Sequence, residues 1–312
     1  MNLNNSPVTQ HHFQGYDFHL KRDDLLHSHF NGNKARKFAD LLGSELPGIT
    51  QLIGWGSAQA NSLTSLAALA KIKQLKLTYF VDHKPDWLDE HPTGNYRAAK
   101  ELGAEIISLK QQLGSNAPHP RDYISANYAH STDCYVVPEG GRFQSARKGI
   151  IELAEEILSW SRFEKGKPIK VALPSGTGTT ALFLSQILMP KNIEVLTCPC
   201  VGGKQYLKQQ FDELGHFSYY PTILELENKH HFGKLYLQDY EIWQQLQDET
   251  DIEFDLLYDP MMWRCLLPWL DTNPDVSLLY IHQGGLLGNE TMLPRYRRKY
   301  DADKNQWQPK VD

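Results

Sequence analysis

The feature that most constrains this chain is the regular alternation of short apolar runs with stretches of helical periodicity. Strand signals stand at 16–21, 51–55, 77–81, 105–109, 134–138, 170–174, 194–198 and 277–282. Between them, 34–46 puts Phe38, Leu41 and Leu42 on one face, and 61–74 does the same with Leu63, Leu66, Ala67 and Ala70. Similar periodicity runs over 150–160 and 179–189. Alternation of this kind favours parallel strands joined by helical crossovers, so an α/β fold is expected. The stretch between 109 and 134 is polar, and Pro138-Glu139-Gly140-Gly141 is a turn signal. The expected division is a smaller α/β domain at 39–140 and a larger domain made of 1–38 plus 141–312.

Composition narrows the function classes. Of 312 residues, 41% are hydrophobic and 22% charged, enough apolar content to bury a core. Lys and Arg number 32 against 37 Asp and Glu, a net charge of −5, which argues against general binding to nucleic acid or an anionic membrane. No apolar run has transmembrane length, and the N-terminal segment lacks the basic start and apolar stretch of a signal peptide. A cytoplasmic location is therefore expected. The four cysteines do not make a disulfide scaffold, and Cys198-Pro199-Cys200 lacks zinc spacing. The pairs His11-His12 and His230-His231 have no companion ligands at metal spacing and read as surface residues, so no metal is expected.

Three strand-to-helix junctions could carry chemistry. In Asn31-Gly32-Asn33-Lys34-Ala35-Arg36-Lys37, Lys34 and Lys37 share a helix face close to a positive helix end. An ammonium disfavoured there becomes a better amine nucleophile. A solvated basic turn is the plain alternative. In Ser175-Gly176-Thr177-Gly178-Thr179-Thr180-Ala181, glycines, hydroxyls and a helix start make a phosphate cradle. No lysine follows as a Walker loop requires. Gly176, Gly178 and Ala181 fit a dinucleotide turn, but the acid expected at the end of the next strand is absent, since Glu194 stands near its start. In Gln59-Ala60-Asn61-Ser62, small and amide residues end a strand, with Asn61 read locally as a helix cap. Tyr258-Asp259-Pro260 and His282-Gln283-Gly284-Gly285 are weaker signals.

Taken in order, these stretches resemble the 1-aminocyclopropane-1-carboxylate deaminase / D-cysteine desulfhydrase family. The likeness runs from Lys21-Arg22-Asp23-Asp24, followed by Gly32-Asn33-Lys34-x-Arg36-Lys37, through Pro92-Thr93-Gly94-Asn95, Pro138–Gly141 and Ser175–Thr180 to His282–Gly285. It implies a two-domain, tryptophan-synthase-β-like fold (fold type II), with pyridoxal 5'-phosphate held between the domains. Carried over by position, Lys34 would be the Schiff-base lysine and Lys37 would lie near the phosphate. Asn61 would bond the pyridine 3' oxygen, and Ser175, Gly176, Thr177, Gly178, Thr179 and Thr180 would hold the phosphate. Asp259 would face the pyridine nitrogen and Tyr258 would be a second catalytic group. Gln59, Asn61, Ser62, Tyr258 and Gln283 would meet substrate.

The resemblance implies a lyase or deaminase of a small amino acid, releasing ammonia and a 2-oxo acid, and a homodimer. Departures cluster on the substrate side. Ala60 stands where the family usually has serine, Ser62 where His or Gln is frequent, Gln283 where relatives carry a smaller or apolar residue, and Pro260-Met261 where Gly-Lys normally follows. Two alternatives stay open: a pyridoxal-phosphate-binding protein with altered or lost turnover, and a dinucleotide-dependent oxidoreductase.

Overall fold

The computed structural model describes residues 3–164 and 166–301. Its strands are β1 (Val8–Phe13), β2 (Tyr16–Lys21), β3 (Gln51–Trp55), β4 (Lys76–Val81), β5 (Glu105–Ser108), β6 (Cys134–Val136), β7 (Ile169–Ser175), β8 (Glu194–Pro199), β9 (Thr222–Ile223) and β10 (Ser277–Ile281). They form two sheets, β1-β2-β10-β7-β8-β9 and β5-β4-β3-β6. All pairings are parallel except the β1–β2 hairpin. The fold is thus α/β with mostly parallel sheets.

The eight expected strands are all present, within a residue or two at their ends. β1 was not foreseen because His11, His12 and Gln10 break the apolar pattern; its turn at Gln14 (φ 47) and Gly15 (φ 89) has the two positive φ values that a tight hairpin needs. The polar stretch after residue 109 is not a plain connection. It holds the helices Leu109–Leu113 and Pro120–Tyr128, the second with proline in its first turn, where a missing N–H costs nothing.

The helix Asn61–Lys73 shows why the second sheet is stable. Its residues from 62 to 70 are all buried, including Thr64 and Ser65. Those two hydroxyls bond to the Asn95 and Asn61 carbonyls at 3.0 and 2.9 Å, so the helix can be covered on more than its apolar face. The helix Gly32–Gly43 contributes Phe38 and Leu41 to the same core. On its other side Arg36, fully buried, bonds both Asp23 (2.8 Å) and Glu156 (2.7 Å), and Lys21 bonds Glu156 at 2.5 Å. Two cations thereby meet two carboxylates. Among the described residues, no helix is long and apolar enough to cross a membrane.

Candidate active site

Parallel sheets gather their functional loops at the carboxyl ends of the strands. Here both sheets do so around one cavity of about 330 Å³. Ser57 and residues 59–62 after β3, 139–140 after β6, 174–180 at the end of β7, Val201 after β8 and Gln283-Gly284 after β10 all line it. Lys34 and Lys37 enter from the first turns of the helix Gly32–Gly43. Every residue proposed above from the sequence as catalytic, cofactor-binding or substrate-binding borders this space.

The 31–37 segment is not a solvated basic turn: Arg36 and Lys37 are buried, and the accessible part of Lys34 borders the cavity. Gly32 has φ +61, and any Cβ there would collide with the Gln283 carbonyl. Asn33 donates its backbone N–H to that carbonyl at 3.1 Å. This close approach docks the start of the lysine-bearing helix against the loop after β10. Burial lowers the Lys34 amine to about 8, while the nearby Asp255 carboxylate pulls it back up. Burial, then the Lys34 and Arg142 charges, push Lys37 well below the ordinary lysine value. Lys37 donates to the Gly140 carbonyl at 2.7 Å and to Thr177 Oγ1 at 3.3 Å, which puts its ammonium beside the glycine-rich turn.

That turn leaves donors free at a helix start. Gly178 caps the helix Thr179–Leu188 with φ 70, and a Cβ there would strike Phe211 and Leu207. The N–H groups of a helix's first turn have no acceptor within the helix. Thr180 Oγ1 is buried with no partner among the described residues, an orphaned donor that a phosphate oxygen would satisfy. Thr177 and Thr179 hydroxyls lie 3.1 Å apart. The Ser175 hydroxyl is instead bonded to Thr197 at 2.7 Å, so its contribution to an anion is backbone. Glu194, the acid weighed for a dinucleotide, opens β8 and pairs with Lys170 at 2.6 Å, away from the strand's carboxyl end.

Asn61 does not cap its helix. Ala60 occupies the cap position, and Asn61 accepts from Asn95 Nδ2 at 2.8 Å and directs its own amide toward Asp255 Oδ2 at 3.4 Å. A side chain read as local thus faces the crevice. Ser62 is buried, 3.3 Å from the Tyr79 hydroxyl, and Gln59 Oε1 is buried without a partner. Tyr258 borders the cavity under Phe232, ring centroids 5.1 Å apart, and burial raises its hydroxyl far above the ordinary value. Asp259 is buried and accepts from Tyr280 OH at 2.6 Å and from the Asp255 N–H at 2.9 Å; burial raises its carboxyl above the usual range.

Asp255 was missed. It stands inside Phe254-Asp255-Leu256-Leu257, which reads as an apolar run, and the acid four residues before Asp259 was the signal passed over. Its Oδ1 takes the N–H groups of Leu257 and Tyr258 at 2.7 and 3.0 Å, opening the helix Asp259–Thr272. Burial, then the Asp259 charge, raise it to about 7. His230 is also corrected: its ring is buried, bonded to Asp239 at 2.7 Å and stacked on Tyr236, not a surface residue.

A buried amine, an orphaned hydroxyl at a helix start, a lysine beside that turn and two buried carboxyls together fit an aldehyde-bearing, phosphate-tailed, basic ring. No family model matches the chain. A mitochondrial protein of Oryza sativa subsp. japonica, with the provisional name D-cysteine desulfhydrase 2, is 23% identical over 92% of this chain and 82% of its own length. A Thermotoga maritima protein provisionally named 1-aminocyclopropane-1-carboxylate deaminase is 25% identical over 88% and 90%. The crystal structure of an ACC deaminase homologue superposes with a TM-score of 0.77 at 21% identity, covering 95% of each chain. Fold and site together define a pyridoxal-phosphate enzyme of fold type II. Within that class, the chain is similar to the proteins named 1-aminocyclopropane-1-carboxylate deaminase and D-cysteine desulfhydrase, at 23–27% identity.

Proposed function

We propose that this enzyme is a pyridoxal-phosphate-dependent lyase or deaminase of a small amino acid, D-cysteine desulfhydrase-like or 1-aminocyclopropane-1-carboxylate deaminase-like, which releases ammonia and a 2-oxo acid. The observation that carries the reading is the shared cavity of the buried Lys34 amine and the Gly176–Thr180 cradle, with Lys37 bonded to Thr177. When bound, pyridoxal phosphate supplies an aldehyde for an amine and a ring that withdraws electrons from the α carbon.

In this reading Lys34 would hold the aldehyde, and its amine is the group placed to move the proton at the α carbon or its neighbour. The lowered value of about 8 makes its neutral, proton-accepting form accessible near physiological pH. Lys37, the threonine hydroxyls and the turn's N–H groups hold the phosphate, and Asn61 bonds the ring's 3' oxygen. Asp259 partners the ring nitrogen. Gln59, Asn61, Ser62 and Gln283 border the substrate, and Tyr258 is the second acid/base group of the site, its hydroxyl held protonated by burial. The proposal includes a smaller lobe at 39–140, a homodimer and a cytoplasmic location; the separate four-stranded sheet supports the lobe division.

The test is direct. Purified protein should absorb in the visible, and borohydride should fix the cofactor onto the Lys34 peptide. A panel of D- and L-amino acids should then give ammonia or sulfide, with Ala60→Ser shifting KM about two- to tenfold through one added hydrogen bond. Colourless protein that ignores added pyridoxal phosphate would overturn the reading.

A further inference from the structure

One carbonyl fixes the polarity of a short chain of amides that ends on Lys34. Pro174, next to last in β7, offers only a carbonyl oxygen, so the Gln283 atom 2.6 Å away must be its Nε2 donor. Gln283 Oε1 therefore points the other way, where Asn33 Nδ2 meets it at 2.6 Å. Asn33 is left with Oδ1 on its remaining side, and this oxygen takes the Lys34 amine at 2.9 Å. The Asn33 backbone is clamped as well, by its N–H on the Gln283 carbonyl.

Building on the reading of Lys34 as the reacting amine, we infer that Gln283 is a positioning residue, which holds the Asn33 amide so that an oxygen and not an NH2 group faces Lys34. With Gln283 replaced by an apolar residue, the Asn33 amide loses its side-chain partner and is free to turn its NH2 toward the amine. An oxygen acceptor favours the ammonium form; an NH2 donor favours the neutral one. Because Pro174 leads directly into the Ser175–Thr180 turn, the same chain references the amine to the anion cradle.

The position of Gln283 makes this separable from other influences on Lys34. Charged and titratable neighbours around the cavity are Lys37, Glu139, Tyr206, Asp255, Tyr258 and Asp259. On the adjoining cavity, which also borders Lys34, they are His29, Glu253, Glu290 and Arg297. Of these, Asp255 pulls the amine toward its charged form. None is replaced when residue 283 is changed.

The experiment titrates the cofactor-free full-length protein with a lysine-selective acylating reagent and reads the Lys34 peptide by mass spectrometry across pH. Gln283→Leu should lower the midpoint of Lys34 by about one unit, the scale of a lost charge-assisted hydrogen bond. Gln283→Glu keeps an acceptor for Asn33 Nδ2 and adds a negative charge, so its midpoint should hold or rise. In an Asn33→Leu background, Gln283→Leu should add nothing. Gln283→Met removes both bonds at similar volume and replaces the leucine variant if that fails to fold. An unmoved midpoint, an equal fall in the Leu and Glu variants, or a shift that persists without Asn33 would overturn the inference. The midpoint is read without cofactor, so it stands or falls apart from the absorbance and borohydride test of the function.

Discussion

The helix Gly32–Gly43 carries buried charge on two sides, and the sides follow opposite rules. On one, Arg36 has two carboxylates and shares Glu156 with Lys21, so two positive charges are balanced by two negative ones. On the other, Lys34 has one neutral oxygen for a partner, and Lys37 has a carbonyl and a hydroxyl but no carboxylate within bonding distance among the described residues. Roughly 100° of rotation per residue separates these environments. A saturated network anchors a helix but has nothing left to offer a ligand. Under-compensated cations cost stability and are poised to receive an anion or an aldehyde. Asp255 and Asp259 repeat the pattern with the other sign: both are buried and both are shifted upward.

Exchanging the roles of the two sides gives the sharpest test. Lys34→Ala should cut turnover by about 10²–10⁴-fold or more while leaving the melting temperature unchanged or raised, since it removes a penalised buried amine. Arg36→Met should do the reverse in kind, losing about 3–5 kcal/mol in urea unfolding because Asp23 and Glu156 are left short of a partner. If Arg36→Met unfolded no more easily than the parent while Lys34→Ala did, the comparison would be broken. Next in size, Lys37→Ala should weaken cofactor binding about ten- to a hundredfold in an absorbance titration, the cost of one charged contact to the phosphate.

A further effect is a dependence on pH. Asp255 titrates at about 7 in the fold against an ordinary 3.8, so between those values the folded chain keeps a proton that the unfolded chain has released. Stability from this group therefore falls as pH rises through that window. Asp255→Asn should gain on the parent across it, with the full difference reached above pH 7, measured by urea unfolding at several pH values. Lys34 contributes the opposite slope. Its folded value of about 8 lies below the ordinary 10.5, so stability from this group recovers as pH climbs between the two, and that slope should vanish in Lys34→Ala.

Much of this architecture was legible in the residues. The apolar runs that became β2, β3, β7 and β10 are bounded by turn residues and keep their pattern because both faces of a parallel sheet are covered. The anion turn was legible because glycine and threonine have few other reasons to cluster at a strand end. Strand order was not, since neighbours such as β2 and β10 are joined only through the whole intervening chain. β1 was hidden by its polar composition, which a hairpin at the sheet edge tolerates. Asp255 was hidden by its leucine and phenylalanine neighbours. Taken locally, Asn61 looks like a helix cap because the residue types that cap helices also bind ligands, and the structure puts Ala60 at the cap.

The contact between Asn33 and Gln283 spans 250 positions along the chain. During synthesis Asn33 and the lysine beside it emerge some 250 residues before the carbonyl that seats their helix. A ribosome-bound fragment that stops before residue 283 therefore carries the amine without its socket. The candidate site is closed by β10, and the slow step in maturing this fold should be the docking of β10 between β2 and β7.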